Sequence, residues 1–90
     1  MKYVGKSWDN LLLIFEVNKY QYEMLRCKGR PVYRGTNFTK STLENLGLDI
    51  KKEGYYCVKR VEGGYIPSDK DIKGYIMLFQ IEIMLREVGL

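Results

Sequence analysis

The last quarter of the chain carries both a start signal and a stop signal for one long helix, and this feature constrains the fold most. Ser68 precedes Asp71 by three residues, the spacing of a capping box, in which each side chain bonds the backbone amide of the other residue. Asp69 would lie in the first turn, where the positive end of the helix dipole favours a carboxylate. Gly89 stands where many helices end in a left-handed residue. The segment therefore predicts a helix over 69–88.

The same segment also contains a pattern that is typical of a strand. Phe79, Ile81 and Ile83 alternate with Gln80 and Glu82, and a period of two residues indicates a half-buried strand. The start and stop signals favour the helix, and we keep the strand as the alternative.

A helix over 69–88 would be apolar on two faces. One stripe consists of Ile72, Ile76, Phe79 and Ile83, and the second consists of Leu78, Ile81, Leu85 and Val88. A helix of this kind is either enclosed by its own domain or shared with a partner, and a chain of 90 residues has little material to enclose it. We therefore expect a homodimer whose interface is the second stripe. The alternative is that loops cover the back of the helix.

The N-terminal third of the chain predicts a β-hairpin. Leu11 to Val17 is rich in large apolar residues, Asn18 and Lys19 suit a turn, and Tyr20 to Leu25 alternates again. The alternative is a single helix from Trp8 to Cys27, because charged side chains recur there at helical spacing. We favour the hairpin because the period of two residues is present on both sides of the turn.

Two further strands are expected in the second half of the sheet. After a turn at Gly29, Pro31 to Tyr33 reads as a short strand, which begins at the proline or lies at a sheet edge because proline has no amide proton to donate. Tyr55 to Val61 is a longer β run. A turn at 62–64 would then lead into a stub of return strand at 65–67.

A short helix is expected between these strands. Ser41 to Glu44 matches a capping box and Gly47 suits a helix end, which places the helix near 42–46. Phe38 to Leu48 resembles the first helix and turn of a helix-turn-helix motif. The residues that follow lead into a strand instead of the second helix that this motif requires.

Together these elements predict the α+β class. We expect a single domain over 1–90, with a small antiparallel sheet made of the N-terminal hairpin and the strand near 55–61, a short helix near 42–46 and a longer helix near 69–88. No run reaches the roughly 18 apolar residues that a membrane span needs. Met1 to Gly5 lacks the apolar region of a signal peptide. A cytoplasmic protein without membrane contact is therefore expected.

The residue types that carry most enzyme chemistry are missing or isolated. The chain has no histidine, so serine–histidine and cysteine–histidine pairs cannot form. Cys27 and Cys57 lack zinc-ligand spacing, and we expect both to be small buried apolar groups. Asp69 and Asp71 are better explained as helix-capping acids than as metal ligands. We therefore expect no catalytic residue, no metal site and no cofactor, and a protein that is not an enzyme.

The net charge of +4 comes from one segment, Met24 to Leu43. This segment holds five basic and no acidic residues, whereas residues 1–23 balance and residues 44–90 carry one excess acid. A local field of this sign attracts phosphates or an acidic protein surface. The candidate binding residues are its cations and two rings that could stack on an unpaired base: Arg26, Lys28, Arg30, Tyr33, Arg34, Phe38 and Lys40.

We therefore expect a small binding protein, with DNA or RNA as the first expected partner. One alternative is a protein-interaction or inhibitor module that docks an acidic protein surface, and another is a structural homodimer through the C-terminal helix. The same basic composition would also suit a solvated surface that only keeps the chain soluble. The richness in Tyr, Lys and Ile is typical of small adaptors encoded by bacteria or their phages.

Overall fold

Four strands and two helices make up the part of the chain that the structure describes, residues 1–6, 11–34, 54–62 and 66–89 of a computed structural model. In chain order these elements are β1 (Lys2–Lys6), β2 (Leu12–Val17), α1 (Lys19–Cys27), β3 (Val32–Arg34), β4 (Tyr55–Arg60) and α2 (Asp69–Glu87). The strands form one antiparallel sheet in the order β1-β2-β4-β3. The predicted α+β class with a C-terminal helix is confirmed.

The predicted N-terminal hairpin has the correct first strand but the wrong partner for it. β1 pairs with β2, and Lys2 lies opposite Glu16 at one end of the pairing. Tyr20 to Leu25, expected as the return strand, belongs to α1 instead. The alternative of one helix from Trp8 to Cys27 is also wrong, because Leu12–Val17 is a strand.

α1 begins where it does because Asn18 caps it. The Asn18 carboxamide oxygen accepts a hydrogen bond from the Gln21 amide at 2.7 Å, and the Gln21 side chain accepts one from the Asn18 amide at 2.9 Å. This reciprocal arrangement satisfies two backbone donors that a helix start leaves without partners. Tyr22 and Leu25, three residues apart, then become the buried side of α1. The helical spacing of these two side chains, not the alternation of tyrosines, decides the local structure.

The core lies between one face of the sheet and the two helices. Leu13, Phe15 and Val17 alternate along β2 and all face the helices, where Phe15 meets the ring of Phe79 edge to face, with 5.1 Å between centroids. Ile14 faces the opposite side of the sheet, in a smaller buried cluster with residues of β4. Since β2 pairs with both β1 and β4, it is buried on both faces and lies at the centre of the fold.

The C-terminal helix was predicted correctly, with the signals that the sequence indicated. The Ser68 hydroxyl and the Asp71 carboxylate each accept a hydrogen bond from the backbone amide of the other residue. Gly89 ends the helix with a φ of +82°, in the left-handed region where a side chain would be strained. The strand alternative for this segment is wrong. The first apolar stripe packs on the sheet, with Phe79 and Ile83 buried.

The remaining predicted elements have mixed outcomes. β3 lies at an edge of the sheet directly after Pro31, and β4 occupies the predicted run, so both strands are confirmed. Ile66 and Pro67 belong to no strand, so the expected stub of return strand is wrong at these positions. The short helix expected near 42–46, and with it the helix-turn-helix resemblance, lies outside the described residues.

The two cysteines differ in their surroundings. Cys57 is fully buried on β4, as expected, whereas Cys27 at the end of α1 is exposed, contrary to the prediction. Burial raises the pKa of the Cys57 thiol from its ordinary 9.0 to about 12. Cys57 is therefore an inert core group at neutral pH.

Removal of the α1 cap should destabilise the protein. Asn18→Ala leaves the Gln21 amide without its acceptor, and we expect a loss of about 1 kcal/mol in the free energy of unfolding. Asn18→Asp keeps an acceptor oxygen and should stay close to the parent chain. Urea denaturation followed by circular dichroism measures both variants. An alanine variant as stable as the parent would contradict the role of the cap.

Burial of the Cys57 thiol should make the protein less stable at alkaline pH. Above pH 9 the unfolded chain loses the thiol proton while the folded chain keeps it, so unfolding becomes more favourable by about 1 kcal/mol between pH 9 and pH 10. The pKa values of Tyr3, Tyr20 and Tyr56 are also raised from 10.0, each mainly by desolvation on burial. These tyrosines lower stability mainly above pH 10, so the window from pH 9 to 10 is the best range in which to measure the effect of Cys57.

Urea denaturation at several pH values across this window tests the effect. Cys57→Ala should flatten the decline in the free energy of unfolding, whereas Cys27→Ala at the exposed thiol should not. Equal slopes for the two variants would show that the buried thiol is not the cause.

Candidate functional site

The basic segment begins in the last turn of α1 and continues into β3. Gly29 makes the turn between them with a φ of +83°, and the Arg30 amide donates to the carbonyl of Leu25 at 3.0 Å. This backward hydrogen bond satisfies a carbonyl at the end of the helix and redirects the chain. The turn therefore carries the basic residues from a helix end to a sheet edge within a few positions.

Arg30 does not contribute a free charge to this surface. Its guanidinium forms a two-bond ion pair with the Glu82 carboxylate of α2, with Nε donating to Oε2 at 3.2 Å and Nη2 to Oε1. It also lies over the ring of Phe79, 5.1 Å from the centroid. Both charged side chains are less than one-fifth exposed. Arg30 thus joins the α1–β3 connection to α2, and its charge is neutralised within the fold.

The other predicted cations of this segment that the structure describes are exposed. Arg26 lies 3.9 Å from Glu23 one turn earlier, an exposed pair that contributes little to stability. Lys28 is exposed in the turn, and Arg34 is exposed on β3 with its guanidinium 5.8 Å from the centroid of the Tyr55 ring. These three side chains remain accessible to a partner.

Of the two rings predicted to stack on a base, the structure describes Tyr33. Tyr33 is 40% exposed on β3. Because successive side chains of a strand point to opposite faces, Tyr33 lies on the face of the sheet opposite to Arg34. It pairs across the strands with Tyr56, whereas Arg34 pairs with Tyr55. Phe38 and Lys40 lie outside the described residues.

Sequence reasoning missed two cations that the fold adds to this side of the molecule. Lys59 and Arg60 lie on β4, the strand beside β3, and α1 packs against both strands. Both cations lie outside the acid-free segment, and the bond from the Val58 amide to the Pro31 carbonyl places this end of β4 beside the turn. Lys59 is on the helix-facing side of β4, with its ammonium 5.8 Å from the centroid of the Tyr75 ring of α2, whereas Arg60 points to the other face of the sheet. The side chains of these five residues define what we call the basic edge: Arg26, Lys28, Arg34, Lys59 and Arg60.

Charge is segregated between the two halves of the described structure. Residues 19–34 and 54–62, which hold α1, β3 and β4, carry seven basic and two acidic residues. The other described ranges, 1–6, 11–18 and 66–89, carry five of each. With Arg30 and Glu82 set aside as a pair, the first group keeps an excess of four basic residues and the other ranges an excess of one. Most of the net positive charge of the described residues therefore belongs to the part of the fold around the basic edge.

A second surface is the solvent-facing side of α2. The second apolar stripe is exposed, since no described residue covers it, and two methionines extend it. The exposed fractions are 61% for Met77, 37% for Leu78, 47% for Ile81, 63% for Met84, 37% for Leu85 and 70% for Val88. We call these six residues the outer face of α2. Within the described ranges, neither helix is long and apolar enough for a transmembrane span.

A groove of about 380 Å³ runs beside this surface, between the start of α1 and the end of α2. Its lining includes Tyr20, Gln80, Met84 and Glu87. No group of three or more potential metal ligands lies within the residues that the structure describes.

Comparison of the chain with protein-family models, with curated proteins and with solved structures finds no match.

The Arg30–Glu82 pair should be a strong local determinant of stability. Arg30→Met leaves the largely buried Glu82 carboxylate without its partner, and Glu82→Leu leaves the largely buried Arg30 guanidinium without its partner. We expect each to lower the free energy of unfolding by about 2–3 kcal/mol, and the double variant to lose less than the sum of the two.

A double-mutant cycle measured by urea denaturation checks this coupling. Glu23→Gln, which removes an exposed pair, is the matched control and should cost less than about 0.5 kcal/mol. Strictly additive losses at Arg30 and Glu82 would show that the pair is not coupled.

Proposed function

We propose that this chain is a small non-enzymatic nucleic-acid-binding protein that uses the basic edge in the cytoplasm. The observation that carries the proposal is the charge segregation: the excess of basic over acidic residues lies in α1, β3 and β4, while the rest of the described fold is balanced. A field of one sign over one side of a small protein steers polyanions towards it.

The exposed arginines supply the contact chemistry. A guanidinium binds two phosphate oxygens at once through its planar fork, and Arg26 and Arg34 are both exposed. Arg30 has a supporting role, because its pair with Glu82 fixes the turn from which Lys28 and β3 extend. A rigid turn lowers the entropy lost when its neighbours bind a phosphate backbone.

Contacts to the phosphate backbone suit this surface better than reading of bases. α1 has nine residues, and its exposed side carries Glu23 between Lys19 and Arg26, so an acidic group would face the phosphates of a major groove. Tyr33, on the other face of β3, is the exposed ring of the basic segment that could stack on an unpaired base. We therefore propose binding with little sequence preference, and tighter binding to single strands than to duplexes.

An acidic protein surface is the second candidate partner. Tyr33 and Arg34 are both exposed on β3, one on each face of the sheet. Their exposure favours this candidate, because tyrosine and arginine are over-represented among the residues that dominate binding energy at protein interfaces. The chain would then be an interaction or inhibitor module, of the kind that bacteria or their phages encode.

Titration against labelled duplex DNA, single-stranded DNA and RNA at two salt concentrations tests the first candidate. Affinity should fall steeply with salt, because each neutralised phosphate contributes a log–log slope of roughly −0.9 on duplex DNA and −0.7 on single strands. The triple variant R26Q/K28Q/R34Q should weaken binding to all three probes. It should also reduce the magnitude of the salt slope by the amount that about three phosphate contacts contribute.

The matched control changes the same charge elsewhere. K2Q/K70Q/R86Q removes three exposed cations from the balanced part of the fold and should bind nearly as well as the parent chain. No binding at low salt, or equal losses in the two triple variants, would overturn the proposal. Binding to polyglutamate but to no nucleic acid, with loss in R26Q/K28Q/R34Q, would support the acidic partner instead.

A further inference from the structure

The outer face of α2 has the spacing of a helix–helix seam. Met77, Ile81, Met84 and Val88 follow one another at intervals of four, three and four residues, and Gly74 precedes them by three. This is the alternation of core positions in a two-stranded helical pair. Leu78 and Leu85, seven residues apart, broaden the seam on one side. The seam runs for about 21 Å along the helix.

The helix is already ordered before any partner binds. Phe79 and Ile83, on the opposite side of α2, are buried against the sheet, and the capping box at Ser68 fixes the helix start. A free helix with so short a seam would be marginal in water. Because the fold has already fixed α2, a partner need not supply the free energy of helix formation.

Polar residues on one flank of the seam recur every seven positions. Lys73, Gln80 and Glu87 are all exposed there, with the cation near the start of α2 and the carboxylate near its end. In an antiparallel pair such flank positions face one another, so Lys73 meets Glu87 of the partner subunit and Gln80 meets its own equivalent. In a parallel pair the same residues would instead face leucines of the partner.

We propose that the outer face of α2 binds a second copy of this chain, with the two helices antiparallel about a two-fold axis near Phe79. This inference goes beyond the proposed function and does not rest on it. The flank is complementary to itself only in this orientation, and each pair occurs twice because a two-fold interface is isologous. A partner of unrelated sequence would not require that symmetry.

The core of the seam is complementary in the same register. Gly74 lies opposite Met84 of the partner subunit, and Met77 lies opposite Ile81 of the partner subunit. A small residue thus faces a large flexible one, and methionine adapts to irregular gaps. A Cβ placed on Gly74 would meet nothing within 4 Å in the single chain, so the space beside it is open for the partner. Leu78 lies beside its own equivalent.

A hydrogen bond within the chain holds the acidic end of the flank. Tyr20, at the start of α1, hydrogen-bonds the Glu87 side chain. This contact restricts the carboxylate on the flank that faces the partner, so less side-chain entropy is lost on pairing. We expect a modest interface, with a dissociation constant in the micromolar range, because two short helices bury less surface than a standard protein interface.

Sedimentation equilibrium over a range of concentrations tests the self-association without nucleic acid. The parent chain should approach twice its 10.6 kDa mass as concentration rises. Ile81→Glu, in the centre of the seam, should weaken association about 100-fold or more because it buries a carboxylate. Ile66→Glu is the matched control: that isoleucine is 74% exposed outside α2, and its replacement should leave the dimer intact.

Charge reversal tests the orientation. K73E and E87K should each weaken the dimer, because each places like charges together twice, and K73E/E87K should restore it. Y20F controls for the loss of the bond to Glu87.

In a C27A background, mild oxidation should cross-link L78C chains efficiently and G74C chains poorly.

Two outcomes would overturn the inference. A monomeric mass at the highest concentration, with circular dichroism showing a folded chain, removes the dimer whatever the result of the nucleic-acid titration. Cross-linking through G74C but not L78C, with no rescue by K73E/E87K, would mean that the helices pair in another orientation.

Discussion

The structure depends on how Phe79 is enclosed. Phe15 of the central strand β2 packs edge to face against its ring. Arg30 places its guanidinium over the same ring while it binds Glu82. A single aromatic side chain therefore joins the central strand, the α1–β3 turn and α2. Aromatic and cation–π contacts with fixed geometry set the rotation of α2 about its axis.

That rotation determines which surfaces the chain presents. With Phe79 and Ile83 turned to the sheet, the side chains on the opposite side of the helix, which form the outer face of α2, must point outward. The pair with Glu82 removes the charge of Arg30 from solvent, so the excess of basic over acidic residues lies on α1, β3 and β4 without it. The two surfaces thus lie on different elements, so variants in one leave the other intact, and polyanion binding and self-association can be separated experimentally.

Local signals explain where sequence reasoning succeeded and where it failed. The α2 helix and the edge position of β3 follow from Ser68, Gly89 and Pro31, which act on neighbouring backbone groups. α1 was misassigned because Asn18 suits both a turn and a helix start, and the cap is identifiable only when Gln21 is considered with it. The exposure of Arg26, Lys28 and Arg34 agreed with the acid-free composition around them.

The sequence by itself determined the fold class, the long capped helix with two apolar faces, and the concentration of positive charge in one segment, because each depends on residues close together in the chain. Only the tertiary structure decided which of those charges stay accessible and which residues join them. Glu82 lies 52 positions from Arg30, and Lys59 lies near the turn through the bond from the Val58 amide to the Pro31 carbonyl. Coulombic attraction and burial act through space, so contacts at such sequence separation exist only after the sheet and α2 have packed.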